Sequence, residues 1–195
     1  MRYRLLLVLI AFIGTAAAQS FYPIRYDNNV GYGGTLEQLV RIINVGKLGT
    51  PVTSPVGDVC ANIYVFDANQ EMVACCSCRV TPDGMASAAV GNQLTSNPLT
   101  GSVPMSGVIE ILPIPAGPQT CSPIAPFSTP DGSLVDISAT HIEVANGLGY
   151  VTETAVQSVA ITSQQTSFLN NACLFVQFLG NSAGKGGCGC SNPGS

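Results

Sequence analysis

The chain concentrates one reactive element, sulfur. Its eight cysteines are Cys60, Cys75, Cys76, Cys78, Cys121, Cys173, Cys188 and Cys190; three fall in Cys75-Cys-Ser-Cys78 and two in Cys188-Gly-Cys190. As thiolates such clusters could hold copper or zinc. The paired C-x-x-C knuckles of structural zinc sites are absent, however, because Cys75 to Cys78 provides the only such spacing. A redox pair would need a helix start to depress a thiol pKa, and the segment around Cys75 has the pattern of a strand. An even number of cysteines in an exported chain points to disulfides, and all eight are expected to be bridged. Cys75 and Cys76, as strand neighbours, project to opposite faces and must seek different partners.

Other side chains offer little to a mechanism. His141 is the single histidine, so no multi-histidine metal site can form. His141-Ile-Glu143 has the H-x-E of zinc deaminases but lacks the P-C-x-x-C that should follow. A serine nucleophile would need a G-x-S-x-G elbow between strand and helix; Gly180-Asn-Ser-Ala-Gly184 comes nearest and lies after a helix. Glu110, Glu143 and Glu153 could pair as glycosidase carboxylates only if folding set them on opposing walls of a cleft. No tryptophan is present to stack on a sugar. Asp58, Asp67, Asp83 and Asp131 sit at turns without calcium-loop spacing. No phosphate loop or dinucleotide fingerprint occurs. No catalytic, metal or cofactor-binding set is therefore assigned, and no cofactor is expected.

Composition narrows the partners. The chain has 195 residues, 46% hydrophobic and only 9% charged, with a net charge of −4. That apolar fraction excludes disorder by charge, and the absence of a basic cluster argues against nucleic acid. Met1-Arg-Tyr-Arg4, the apolar run Leu5–Ile13 and the small residues through Ala18 have the three-part layout of a secretory signal cleaved after Ala18. The run is too short to span a bilayer, which takes about 20 residues. Loss of Arg2 and Arg4 with the leader would leave five basic residues against eleven acids, a net charge of −6. The expected location is secreted or extracellular, with no membrane contact after cleavage.

The elements that must position these residues are mostly strands. Residues 19–35 lack clear periodicity and are expected to form an extended arm, packed on the domain or added as a strand to a neighbouring molecule. Leu36–Val45 forms a first strand. Val59–Phe66 and Glu71–Cys78 flank a turn at Asp67–Gln70 and make a hairpin, with Cys60 bridged to the Cys76–Cys78 region. Met85–Leu94 is a weaker strand and Gly107–Pro113 a short apolar one. The prolines from Pro113 to Pro130 exclude a central strand there, and Cys121 would pin this loop to the core. Val135–Ala145 alternates well, Asn146-Gly147 signals a hairpin, and Leu148–Ile161 returns as its partner. Thr162-Ser-Gln-Gln165 fits a capping box. The stripe Phe168, Leu169, Ala172, Cys173, Phe175, Val176 and Leu179 predicts a helix over 163–179 that packs on a sheet and ends at Gly180. The tail would fold Cys188 and Cys190 back toward Cys173.

The expected fold is mainly β: a disulfide-stabilised β-sandwich of the immunoglobulin-like class with one C-terminal helix. The expected organisation is a signal peptide over 1–18, the arm over 19–35, the sandwich with its helix over 36–180, and a Gly/Cys-rich tail over 181–195. Cys60-Ala-Asn-Ile-Tyr-Val-Phe-Asp67, Ala74-Cys-Cys-Ser-Cys78 and Thr81-Pro-Asp-Gly84 resemble a group of exported, cysteine-rich bacterial proteins. The tail from Cys173 to Cys190 is similar to the end of the same group. The resemblance covers about half of the chain after the leader and implies secretion and a shared disulfide framework, with no catalytic residues. The functional expectation is a secreted, non-catalytic protein of structure, adhesion or extracellular assembly, with self-association or a cell-surface partner. The alternative is an extracellular thiolate metal-binding or redox module.

Overall fold

Turn chemistry and alternation build two antiparallel sheets. The computed structural model describes residues 19–28, 36–50, 55–95, 103–117, 120–124, 129–146 and 148–180. The expected leader and Gly/Cys tail lie outside them. The strands are β1 (Ser20–Asp27), β2 (Leu39–Asn44), β3 (Val59–Asp67), β4 (Met72–Val80), β5 (Met85–Ala89), β6 (Ser106–Pro115), β7 (Val135–Ala145), β8 (Leu148–Ala155) and β9 (Val159–Ala160), followed by the helix α1 (Ser163–Phe178). One sheet has the order β4-β3-β6-β1-β9 and the other β5-β2-β7-β8. The hairpin β3–β4 closes as its sequence dictates. Asp67 Oδ1 accepts from the amides of Asn69 and Glu71, each at 2.9 Å, and Gln70 takes the left-handed conformation that such a turn needs.

Period-two burial packs the sheets face to face. Tyr22, Ile24 and Tyr26 of β1, Ile63 and Val65 of β3, and Ile109 and Ile111 of β6 share one core with Val40 and Ile42 of β2 and Ile137 and Ala139 of β7. The opposite face of the five-stranded sheet carries a second core. There Phe21, Tyr64, Phe66, Cys75 and Leu112 meet Leu169, Cys173 and Val176 of α1. The layers therefore run helix, five strands, four strands. β3 has a layer on each side and is buried from Val59 to Phe66, so its sequence shows no alternation.

Several sequence expectations change in the folded chain. Residues 20–27 are an integral strand, paired with β6 from Tyr22 to Asp27 and with β9 at Ser20 and Phe21, where an appended arm was expected. β6 continues through Pro113 to Pro115. Both prolines are tolerated because β1 pairs with β6 only as far as Ile111; beyond it no described strand pairs on that side, so the missing N–H groups break no ladder there. Gly107 of β6 passes so close to the Phe66 carbonyl and the Tyr26 hydroxyl that any Cβ would collide with both. The strand expected over 85–94 stops at Ala89 and tightens into a π-helical turn at Val90–Leu94. The long return strand expected over 148–161 splits: β8 stays with β7, and β9 crosses to the other sheet beside β1.

The helix starts at Thr162, whose Oγ1 accepts from the Gln165 amide at 3.1 Å. Gly180 ends it in the left-handed conformation. Its buried stripe is narrower than the sequence suggested. Leu169, Cys173 and Val176 are covered, whereas Phe168, Phe175 and Leu179 are exposed.

Candidate functional site

The cysteines are sorted by the two faces of β4. Cys75 points to the helix layer and bonds Cys173 of α1, with Cα atoms 5.7 Å apart. Cys60 also faces outward and bonds Cys121, with Cα atoms 5.4 Å apart, so the proline-rich loop is pinned as expected. Cys76 and Cys78 face the other way, into the core between the sheets, and both are disulfide-bonded. This geometry corrects two expected pairings. Cys60 cannot reach Cys76 or Cys78, because a full sheet thickness separates the two faces, and Cys173 is already committed to Cys75. No free cysteine occurs among the described residues, and in this oxidation state the Cys75–Cys78 cluster offers no thiolate to a metal. Cys188 and Cys190 lie outside the described residues.

The ionisable residues do not converge. His141 pairs with Thr152 across β7 and β8, and Glu143 with Tyr150 at the exposed end of the same hairpin. Glu153 lies on the bare outer face of the four-stranded sheet. There it binds Arg41 at 2.6 Å and accepts from Ser138 at 2.5 Å, and these contacts lower its pKa. Glu110 lies on the helix-facing side of the five-stranded sheet, opposite Tyr64. Both sheets stand between Glu110 and Glu153, so they cannot wall one cleft. Among the aspartates, Asp67 closes a turn. Asp83 sits in the left-handed region of its turn, and Asp131 accepts from the Ser133 amide. Asp58 departs from the turn role: it is buried and held by Arg79 at 2.6 Å. Among the described residues no three His, Cys, Asp or Glu side chains form a metal-sized group.

One groove does combine apolar walls with an unusual polar group. Phe66, Val108, Phe168 and Leu169 line a space of about 290 Å³ at the start of α1, with Glu110, Asp67, Gln70 and Gln165 supplying its polar atoms. The rings of Phe66 and Phe168 stack with centroids 6.3 Å apart. Glu110 Oε2 is buried without a hydrogen-bond partner, and burial raises the pKa of this carboxyl. Beside it the buried Tyr64 phenol donates to the Pro123 carbonyl at 2.8 Å, and burial pushes its pKa well above the usual value. The volume suits a small apolar group, and among the described residues that line the groove there is no nucleophile–base pair. Sequence reasoning named Glu110 but missed Phe66 and Phe168, because their meeting depends on how α1 docks.

The second distinctive surface is apolar and open. On α1, Phe175 is 64% and Phe178 87% exposed, next to Leu174 and Leu179. On the β7–β8 hairpin, Val144, Leu148, Tyr150 and Val151 are exposed. The sequence reading placed Phe175 and Leu179 on the stripe that faces a sheet, and their exposure follows from how α1 docks through Leu169, Cys173 and Val176.

Compared with known proteins, the chain matches no family model, no curated protein and no solved structure. The resemblance to exported cysteine-rich bacterial proteins therefore rests on the quoted motifs alone. Among the described residues no helix is long and apolar enough to cross a membrane.

Proposed function

We propose that the protein is an exported, non-catalytic scaffold that acts in extracellular assembly or adhesion. Disulfides support an oxidising compartment, and the leader-like start supplies a route to it. The observation that carries the reading is the free edge at β8. Seven of its eight residues are exposed, and among the described residues it pairs with β7 alone. Edge strands are ordinarily blunted by Lys, Pro, a bulge or a cover. β8, Leu-Gly-Tyr-Val-Thr-Glu-Thr-Ala, has no Lys or Pro, and its register with β7 is continuous from Leu148 to Ala155. Its one charge, Glu153, is matched within the same molecule by Arg41. Such an edge can accept a strand from another molecule. The version of self-association that used residues 19–35 as a donated arm is withdrawn, because β1 is part of the sheet itself.

The test is sedimentation of the mature secreted protein beside a Val151→Lys variant, with retention on the exporting cells measured in parallel. Wild type should associate or be retained, and the variant should be monomeric and unretained with an unchanged melting temperature. A wild type that stays monomeric at all concentrations and does not bind the cells overturns the proposal.

A further inference from the structure

The sulfurs of Cys76 and Cys78 determine where the C-terminal tail must go. Both residues are bonded, and both are buried on the inner face of β4. Cys60, Cys121, Cys75 and Cys173 are used in two bridges of their own. A bridge between Cys76 and Cys78 is excluded by strand geometry. Residues i and i+2 of a strand are about 6.6 Å apart with parallel Cβ directions, whereas a disulfide needs Cβ atoms about 3.5–4.5 Å apart. β4 is regular at both positions, since Cys76 pairs with Ile63 and Cys78 with Ala61 of β3. The chain has only two cysteines left, Cys188 and Cys190. We infer that Cys76 and Cys78 are bridged to Cys188 and Cys190, so that two covalent links tie the C-terminal end of the chain to β4.

Chain lengths permit it. The Cys75–Cys173 bridge holds α1 against β4. From Cys173 to Gly180 the helix advances about 10 Å, so Gly180 lies within about 20 Å of Cys76, one residue of about 3.8 Å beyond Cys75. The eight residues from Gly180 to Cys188 can span about 26–29 Å. Among the described strands β4 lies at the edge of its sheet, so no second strand has to be passed to reach its inner face. The C-x-C spacing at Cys188 and Cys190 equals the i, i+2 spacing of the two receiving sulfurs on β4. Each bridge forms from two thiols, which give up two protons and two electrons to a disulfide oxidant of the export compartment; that oxidant is reduced to its dithiol.

Trypsin decides the matter. Cleavage after Lys185 frees residues 186–195, which carry Cys188 and Cys190, and cleavage after Lys47 and Arg79 gives residues 48–79, which carry Cys76 and Cys78. The secreted protein is denatured with thiols blocked, digested without reductant and weighed. The Cys60–Cys121 and Cys75–Cys173 bridges tie 48–79 to 80–185, so the inference expects one complex of three peptides in which fragmentation of the isolated complex finds 186–195 joined to Cys76 and Cys78 in either order of pairing; 186–195 joined to Cys121 or Cys173 overturns it. Release of 186–195 without reductant as a separate peptide two mass units light, with its own internal bridge, overturns it. So does attachment found only in a covalent dimer. In a Cys76→Ala, Cys78→Ala variant the terminal peptide should come free, and in a Cys75→Ala, Cys173→Ala variant it should stay attached. If either variant is not secreted, fragmentation of the linked wild-type complex, which reads the cysteines that hold 186–195, gives the answer.

Discussion

β3 and β8 have similar lengths and lie in the same sandwich, yet eight of nine residues of the first are buried and seven of eight of the second are exposed. The difference comes from layering. The five-stranded sheet has the other sheet on one side and α1 on the other, while among the described residues no element packs on the outer side of the four-stranded sheet. Sulfur follows the same division: Cys60, Cys75, Cys76 and Cys78 lie on β3 and β4, and no strand of the four-stranded sheet carries a cysteine. Cohesion is thus concentrated in the five-stranded sheet and availability in the other. A braced sheet can hold a bare one in shape, so an exposed apolar edge can persist without unfolding the domain.

The largest break in this contrast comes from removing the helix bridge. Cys75 and Cys173 are 98 residues apart in sequence, and closing a loop of that length lowers the entropy of the unfolded chain by the equivalent of about 4–5 kcal/mol. Cys75→Ala with Cys173→Ala should lose most of that, and α1 should become the first element to exchange its amide protons. The Cys60–Cys121 bridge closes 61 residues, so loop closure makes its removal milder by only about 0.4 kcal/mol. Urea unfolding measures both. A loss under about 1 kcal/mol for the first pair, with α1 still protected, would contradict the assignment of α1 to the braced layer.

A smaller and sharper contrast needs no cysteine. Ile63, fully buried at the centre of β3, should cost about 2–5 kcal/mol when cut to Ala, through lost burial and the cavity left behind. Val151 on β8, about half exposed, should cost no more than about 0.5 kcal/mol for the same kind of truncation. Equal losses in urea melts would mean that β8 is covered in solution by something that the isolated fold does not contain.

Most of this layering could be read from residue patterns, and the failures have physical causes. Alternation in Val135–Ala145 marked β7, and Thr162 and Gly180 marked both ends of α1, because these signals are local. Ser20–Asp27 was read as an arm because residues 19–35 taken together show no clear periodicity, although Tyr22, Ile24 and Tyr26 are buried in alternation within it; Pro23 fits the strand because β9 pairs only with Ser20 and Phe21. Pro113 and Pro115 argued against the end of β6 and fit it in the same way. Thr-Pro-Asp-Gly shows the limit directly. At Thr81–Gly84 it closes a turn with the Gly84 amide on the Thr81 carbonyl at 2.8 Å. At Thr129–Gly132 the same letters lead into a 3-10 turn capped by Asp131. Tertiary neighbours make the difference: Asp83 donates to the Asn44 carbonyl and Asp131 to the Pro113 carbonyl. In the candidate groove, Glu110 was visible as a carboxylate, but its burial beside Phe66 and Phe168 depends on where α1 lands.

The smallest effects should carry opposite signs on the two outer faces. Burial raises the Glu110 pKa, so the folded chain holds this proton more tightly than the unfolded one. The stabilising contribution of the protonated carboxyl is complete below the ordinary glutamate range and is lost as pH rises through the folded value. Glu153 behaves in reverse. Its hydrogen bond from Ser138 and its contacts with Arg41 lower its pKa, so its contribution exists above the ordinary range and fades on acidification. Glu110→Gln should therefore gain about 1 kcal/mol at pH 7, the order of one buried group that lacks a partner, and the gain should shrink toward pH 4. Glu153→Gln should lose a little at pH 7, and that loss should also shrink toward pH 4. Urea midpoints of both variants and wild type between pH 4 and pH 7 give the comparison. Slopes of the same sign would show that the two carboxylates do not experience the covered and the bare face that the fold assigns them.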